Sequence, residues 1–99
     1  MQIKITHQNI ELTEAIKDYV EEKIGSIVEM DDSLQIADVV VGKESNHHGK
    51  GDVFHCRVNV SYPGGMFRAD EFSDDLYKSI DFSKDTLKRE VAKNNEKNS

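Results

Sequence analysis

Four cations near the C-terminus, Lys88, Arg89, Lys93 and Lys97, are the residues of this 99-residue sequence whose type and spacing most directly suggest chemistry. Ammonium and guanidinium groups on successive turns of one segment neutralise phosphates and release counterions, so the chemistry is salt-sensitive binding of a polyanion. The formal net charge of −6 opposes that reading. The distribution of charge supports it: residues 1–83 hold 8 Lys+Arg against 16 Asp+Glu, a net −8, whereas residues 84–99 hold 5 against 3, a net +2. Screening over about 8 Å at physiological salt lets a local cluster attract an anion that distant carboxylates repel. The same cluster has a plain structural reading, as cations complementing the negative end of a helix dipole.

His47, His48, His55 and Cys56 raise a second chemistry, a metal or thiol site. Adjacent residues of a strand point to opposite faces, and these pairs lack the spacing of a zinc site, so no metal is expected. His47-His48 reads as an exposed loop tip. The lone Cys56 cannot form an internal disulfide and suits a reducing compartment. No activated nucleophile, glycine-rich phosphate loop or paired acid and base stands at a recognisable spacing, so the chain is not expected to be an enzyme or to hold a cofactor or small-molecule substrate. No apolar run is long enough to span a bilayer, and the opening Met1-Gln2-Ile3-Lys4-Ile5 lacks the features of a secretory signal, so no membrane is expected and the expected location is cytoplasmic.

The elements that must position the cations follow from periodicity. Ile3 and Ile5 alternate with polar neighbours, predicting a strand over residues 2–6. Thr13 is a candidate N-cap for a helix near 13–29, with the apolar positions Ala15, Ile16, Tyr19, Val20, Ile24, Ile27 and Val28. Lys17, Asp18, Glu21 and Glu22 lie on its polar face, where the carboxylates read as solvated or as contacts for basic protein tails. Met30-Asp31-Asp32-Ser33 predicts a turn, Ile36–Val41 a strand ended by Gly42, and residues 46–51 an exposed hairpin loop. Phe54, Cys56, Val58, Val60 and Tyr62 alternate with His55, Arg57, Asn59 and Ser61, the clearest two-residue period in the chain. Pro63-Gly64-Gly65 predicts a tight turn into a fourth strand, Met66–Phe72, with Phe67 and Ala69 facing inward.

Ser73 or Asp74 can cap a last helix with the stripe Leu76, Tyr77, Ile80, Leu87 and Val91. Tyr77 is expected in the core. Ser83 and Lys84 interrupt the stripe, predicting weak anchorage in mid-helix, and the polar residues 94–99 are expected to fray. The fold class is therefore α+β in the order βαβββα, one domain over residues 1–99. Strands two to four should form an antiparallel meander, strand one should join an edge, and both helices should cover one face.

This order, with these residues, resembles the ribosome hibernation promoting factors, short ribosome-associated inhibitors also called ribosomal subunit interface proteins. The resemblance runs nearly end to end. It is carried by Met1-Gln2-Ile3-Lys4-Ile5-Thr6 and Thr13-Glu14-Ala15-Ile16 at the front, and by Gly64-Gly65, Ala69, Glu71, Asp74-Asp75-Leu76-Tyr77 and Ile80-Asp81 at the back. It implies a short member that binds the small ribosomal subunit and its RNA across the messenger and transfer RNA sites of the decoding region, without catalysis. Family positions that touch ribosomal RNA correspond to Lys17, Lys23, Arg89, Lys93 and Lys97, with Lys88 added beside them. Departures from the family pattern are Thr86, Asn94 and Asn95 at usually basic positions, and Lys78 and Ser79 at usual alanines. Tyr77, His47 and His48 are candidates for non-electrostatic contacts.

Two readings from other classes compete with it. An acidic protein–protein interaction module would use the net negative charge against a basic partner. A free double-stranded RNA-binding domain has a partly similar element order, but it commonly places lysines where Asp74, Asp75 and Asp81 stand here. Charged side chains along the strands favour a monomer.

Overall fold

The computed structural model describes residues 1–44 and 51–97, so most of the expected loop at 46–51, His47 and His48 included, lies outside the described residues. Strands β1 (Gln2–Gln8), β2 (Ile36–Lys43), β3 (Phe54–Tyr62) and β4 (Gly65–Ser73) lie side by side in chain order. β2, β3 and β4 form the antiparallel meander, and β1 pairs in parallel with β2, Gln2 opposite Ile36 and Gln8 opposite Gly42. A parallel neighbour requires a crossover, which helix α1 (Glu14–Gly25) supplies.

Thr13 caps α1 as expected, its hydroxyl accepting from the Ile16 amide at 3.2 Å, a contact worth about 1 kcal/mol. Ile16, Val20 and Ile24 are its buried line, while Ala15 is exposed. The α-helix stops earlier than the periodicity predicts. Residues Ser26–Glu29 tighten into a 3-10 turn that still buries Ile27. In the following turn Asp31 Oδ1 accepts from the Ser33 amide at 2.9 Å and from its hydroxyl at 2.6 Å.

β-branched residues alternate inward along the central strands, and Ala37, Val39, Val41, Cys56, Val58, Val60, Phe67 and Ala69 form the sheet side of one core. The two helices cover that face, giving the α+β arrangement. Gly42 lies inside β2 rather than ending it. A Cβ there would stand 2.7 Å from the Gln8 carbonyl oxygen and 2.8 Å from the His55 ring, so only glycine admits that close approach. His55 points to the uncovered face, where alternation predicts exposure, yet its ring is buried between Gly42, Glu44 and Phe72.

Helix α2 (Leu76–Lys97) is capped by Asp75 rather than by Ser73 or Asp74: its carboxylate accepts from the Tyr77 amide at 2.8 Å. The expected weakness at mid-helix is a close approach instead. Ser79 and Ser83 are fully buried, and the Ser83 hydroxyl donates to the Cys56 carbonyl oxygen at 2.7 Å, tying the helix to β3. Small side chains there let helix and sheet come together, and each buried hydroxyl has an acceptor. The helix runs through Lys97, with the Asn95 side-chain amide reaching the Met30 carbonyl oxygen at 3.4 Å.

Candidate nucleic-acid interface

Tyr19 fixes how the helices sit. Its hydroxyl donates to Asp81 Oδ1 at 2.7 Å, and its ring meets Tyr77 edge-on, centroids 4.9 Å apart at 83°. With Met30 meeting Asn95 at the other end, α1 and α2 run parallel. Tyr77, expected in the core, lies on the flank of α2 facing α1 and keeps 39% of its surface exposed. The acceptor Asp81, burial and the nearby carboxylates of Glu22 and Asp75 push the Tyr19 phenol up to about 12, so it stays a donor at neutral pH.

Successive residues of an α-helix turn by about 100°, which sorts the expected cations into separate groups. Lys88 falls on the Tyr77/Asp81 flank together with Lys84, facing α1. Lys23 lies above the Tyr19 ring at 5.4 Å from its centroid. Lys23, Lys84 and Lys88 thus border one groove between the parallel helices. Arg89 and Lys93 fall on the opposite flank of α2, beside Phe82 and Thr86, and Lys17 is exposed on the side of α1 turned away from the groove. Lys97 closes α2, but its side chain lies outside the described residues. The single expected cluster is therefore divided over the helical layer.

Charge pairing is sparse among the helical cations. Among the described residues, no carboxylate lies within ion-pair distance of Lys17, Lys23, Lys88 or Arg89, and Arg89 is held by its own helix, Nη2 donating to Thr86 Oγ1 at 3.1 Å. Lys93 has Glu90 at 3.9 Å and Lys84 has Asp85 at 3.5 Å. On the sheet, Arg57 meets Asp70 at 3.4 Å and Lys43 meets Asp52 at 3.0 Å, Arg68 donates to the Asn59 side-chain oxygen at 3.0 Å, and Lys4 of β1 is exposed with no described carboxylate in ion-pair range. Sequence reading missed Lys84, taken for a gap in the stripe although it stands one turn before Lys88. It also passed over Phe82, which is 44% exposed.

Burial pushes the Cys56 thiol up to about 11, so it is neither a thiolate nucleophile nor a ready metal ligand at neutral pH. Among the described residues, no three His, Cys, Asp or Glu side chains gather as a metal site would require. None of the described helices is long and apolar enough to cross a membrane.

Fold and surface define a class of domain in which a four-stranded mixed sheet backs two parallel helices that carry solvent-facing cations. The chain belongs to the sigma 54 modulation protein / S30EA ribosomal protein family, whose model matches residues 3–99. These are ribosome hibernation factors, which are not enzymes. A ribosome hibernation promoting factor of Acidithiobacillus ferridurans is 40% identical over 81 residues, covering 82% of this chain and 100% of that protein. A ribosome hibernation promotion factor of Deinococcus radiodurans is 34% identical over 95 residues, 94% of this chain, which spans only about half (49%) of that relative's length. Among solved structures, the N-terminal domain of Thermus thermophilus Protein Y superposes with a TM-score of 0.78 at 35% identity, covering 94% of this chain and 98% of that one. A ribosomal subunit interface protein from Coxiella burnetii shares the fold, with a TM-score of 0.83 at 24% identity over 97% of this chain and 99% of that one.

Proposed function

We propose that this chain binds the small ribosomal subunit through its helical layer, occupies the decoding region where messenger and transfer RNA sit, and so holds ribosomes idle under stress or in stationary phase. The names of its relatives support a ribosomal partner. The observation that carries the reading is that Lys17, Lys23, Lys88 and Arg89 stand on the helices without carboxylate partners among the described residues, in a protein of net charge −6. A cation that no carboxylate neutralises is free to meet a phosphate, whereas one already paired must first give up its carboxylate. Lys93 extends this surface along α2, and Lys97, the last residue of that helix, is proposed as a further contact. Off the ribosome the chain is a cytoplasmic monomer.

Replacing Lys88, Arg89 and Lys93 together by Ala should release the protein from small subunits in cosedimentation while its far-UV circular dichroism stays native. Unchanged cosedimentation would sink the mechanism. The division of the cations over two flanks sharpens the test: Lys88→Ala and Arg89→Ala should each lower the slope of log affinity against log salt, by about 1 per lost phosphate contact at most. Exposed Glu14, Asp18, Glu21 and Glu22 on α1 favour the competing acidic-module reading. Sucrose-gradient fractionation of tagged protein from growing and starved cells separates the two, since a module bound to one basic partner stays at the top while a hibernation factor travels with subunits or whole ribosomes.

A further inference from the structure

We infer that Phe82 is a stacking platform for an unpaired ribosomal RNA nucleotide, with Arg89 placed beside it to take that nucleotide's phosphate or the neighbouring base. The inference rests on the proposed ribosomal reading and deepens it, since a surface of few cations on an anionic protein needs a contact that salt does not weaken. Phe82 is 44% exposed, on the flank of α2 that neither the sheet stripe nor α1 covers. No described aromatic ring contacts it, and it is not among the apolar side chains packed against the core. Tyr77, the other exposed aromatic of this helix, already has its ring edge-on to Tyr19.

The residues that follow Phe82 on its flank are Thr86, Arg89 and Lys93, at offsets of four, seven and eleven, the spacing that keeps side chains on one line of a helix. Helical side chains lean toward the N-terminus, so Arg89 reaches back along this line toward Phe82. The structure shows it caught partway, its Nη2 on the Thr86 hydroxyl at 3.1 Å. A ring and an oriented planar guanidinium about two turns apart offer two flat surfaces, and both stack on nucleobases. Among the described residues Arg89 has no carboxylate partner, and the adjoining Lys93 has Glu90 only at 3.9 Å. Lys78, one turn before Phe82, stands at 4.0 Å from Asp74, so the cation nearest the ring on that side is loosely held. The exposed carboxylate nearest the ring along the helix, Asp85, has Lys84 at 3.5 Å, while Thr86, Arg89 and Lys78 offer a nucleotide the hydroxyl and cations it needs, which an apolar partner protein would not use.

The chain contains no tryptophan, so Phe82→Trp introduces a single indole reporter. The experiment compares wild type, F82A and F82W for binding to purified small subunits across a salt series, and titrates F82W fluorescence with small subunits and with protein-free small-subunit RNA. Expected results are a loss of affinity of roughly ten- to a hundredfold for F82A with an unchanged salt slope, retained binding for F82W, and quenching of its emission by both ligands. Wild-type affinity in F82A overturns the platform and leaves the ribosomal reading standing. Quenching of F82W by subunits but not by free RNA overturns it too, since the ring then meets ribosomal protein. Failure of wild type itself to bind subunits overturns the reading on which the inference rests. Native circular dichroism for both variants excludes misfolding as the cause, and exposure of the ring makes that the expected outcome.

Discussion

The two flanks of α2 differ in what holds them. On the flank facing α1, Tyr77 meets Tyr19, Asp81 accepts the Tyr19 hydroxyl, and Asn95 reaches Met30 at the far end, so this flank is tied to other elements at both its ends. On the outer flank, the polar contacts of Thr86, Arg89 and Lys93 among the described residues are internal to the helix. One flank fixes where the helix lies; the other is left to meet something else. Identical helical geometry thus serves positioning on one side and recognition on the other, because only the first has a neighbour.

The most severe way to break that comparison is to remove the stripe both flanks share. Leu87 is fully buried, and Leu87→Ala should cost about 2–5 kcal/mol in urea unfolding, with loss of binding from either flank. A milder change acts on one flank. Tyr19→Phe should cost about 1 kcal/mol by deleting the hydroxyl that Asp81 accepts, while leaving contacts of Phe82 and Arg89 intact. Its pH signature follows from the phenol held up at about 12. A raised folded value means that the hydrogen bond stabilises fully below the unfolded value near 10 and is lost as pH climbs through about 12. The wild type should therefore lose stability over that window more steeply than the Phe variant, and ultraviolet titration should show one tyrosine ionising late. The smallest effect belongs to the outer flank: Lys93→Ala, breaking only an exposed pair with Glu90, should move the thermal midpoint by no more than about 0.5 kcal/mol implies. A large destabilisation there would mean that the outer flank also positions the helix.

Much of the fold was legible because the signals are local. Alternation along β3 and the capped stripe of α1 are written in neighbouring residues, and neither depends on what lies across the sheet. The resemblance to hibernation factors, resting on the front and back motifs, agrees with the family match over residues 3–99. Less of the candidate site was legible. The cations could be named, but their sorting to opposite sides of α1 and α2 depends on where Tyr19 docks, and the motifs do not state that docking. Lys84 was overlooked because a lysine one turn from a stripe looks like a defect until the neighbouring helix is in place.

By itself the sequence determined the order βαβββα, the inward residues of the sheet and the polarity of the helical layer, since each follows from the period of one segment. Tertiary structure alone decided that Ser79 and Ser83 are buried, that Tyr77 borders the groove while Phe82 stands clear, and that Gly42 makes room for a buried His55. The physical reason is the same in each case. A side chain at the margin of a helical stripe, or on the open face of a strand, is covered or exposed according to what packs beside it, and that neighbour comes from a distant part of the chain.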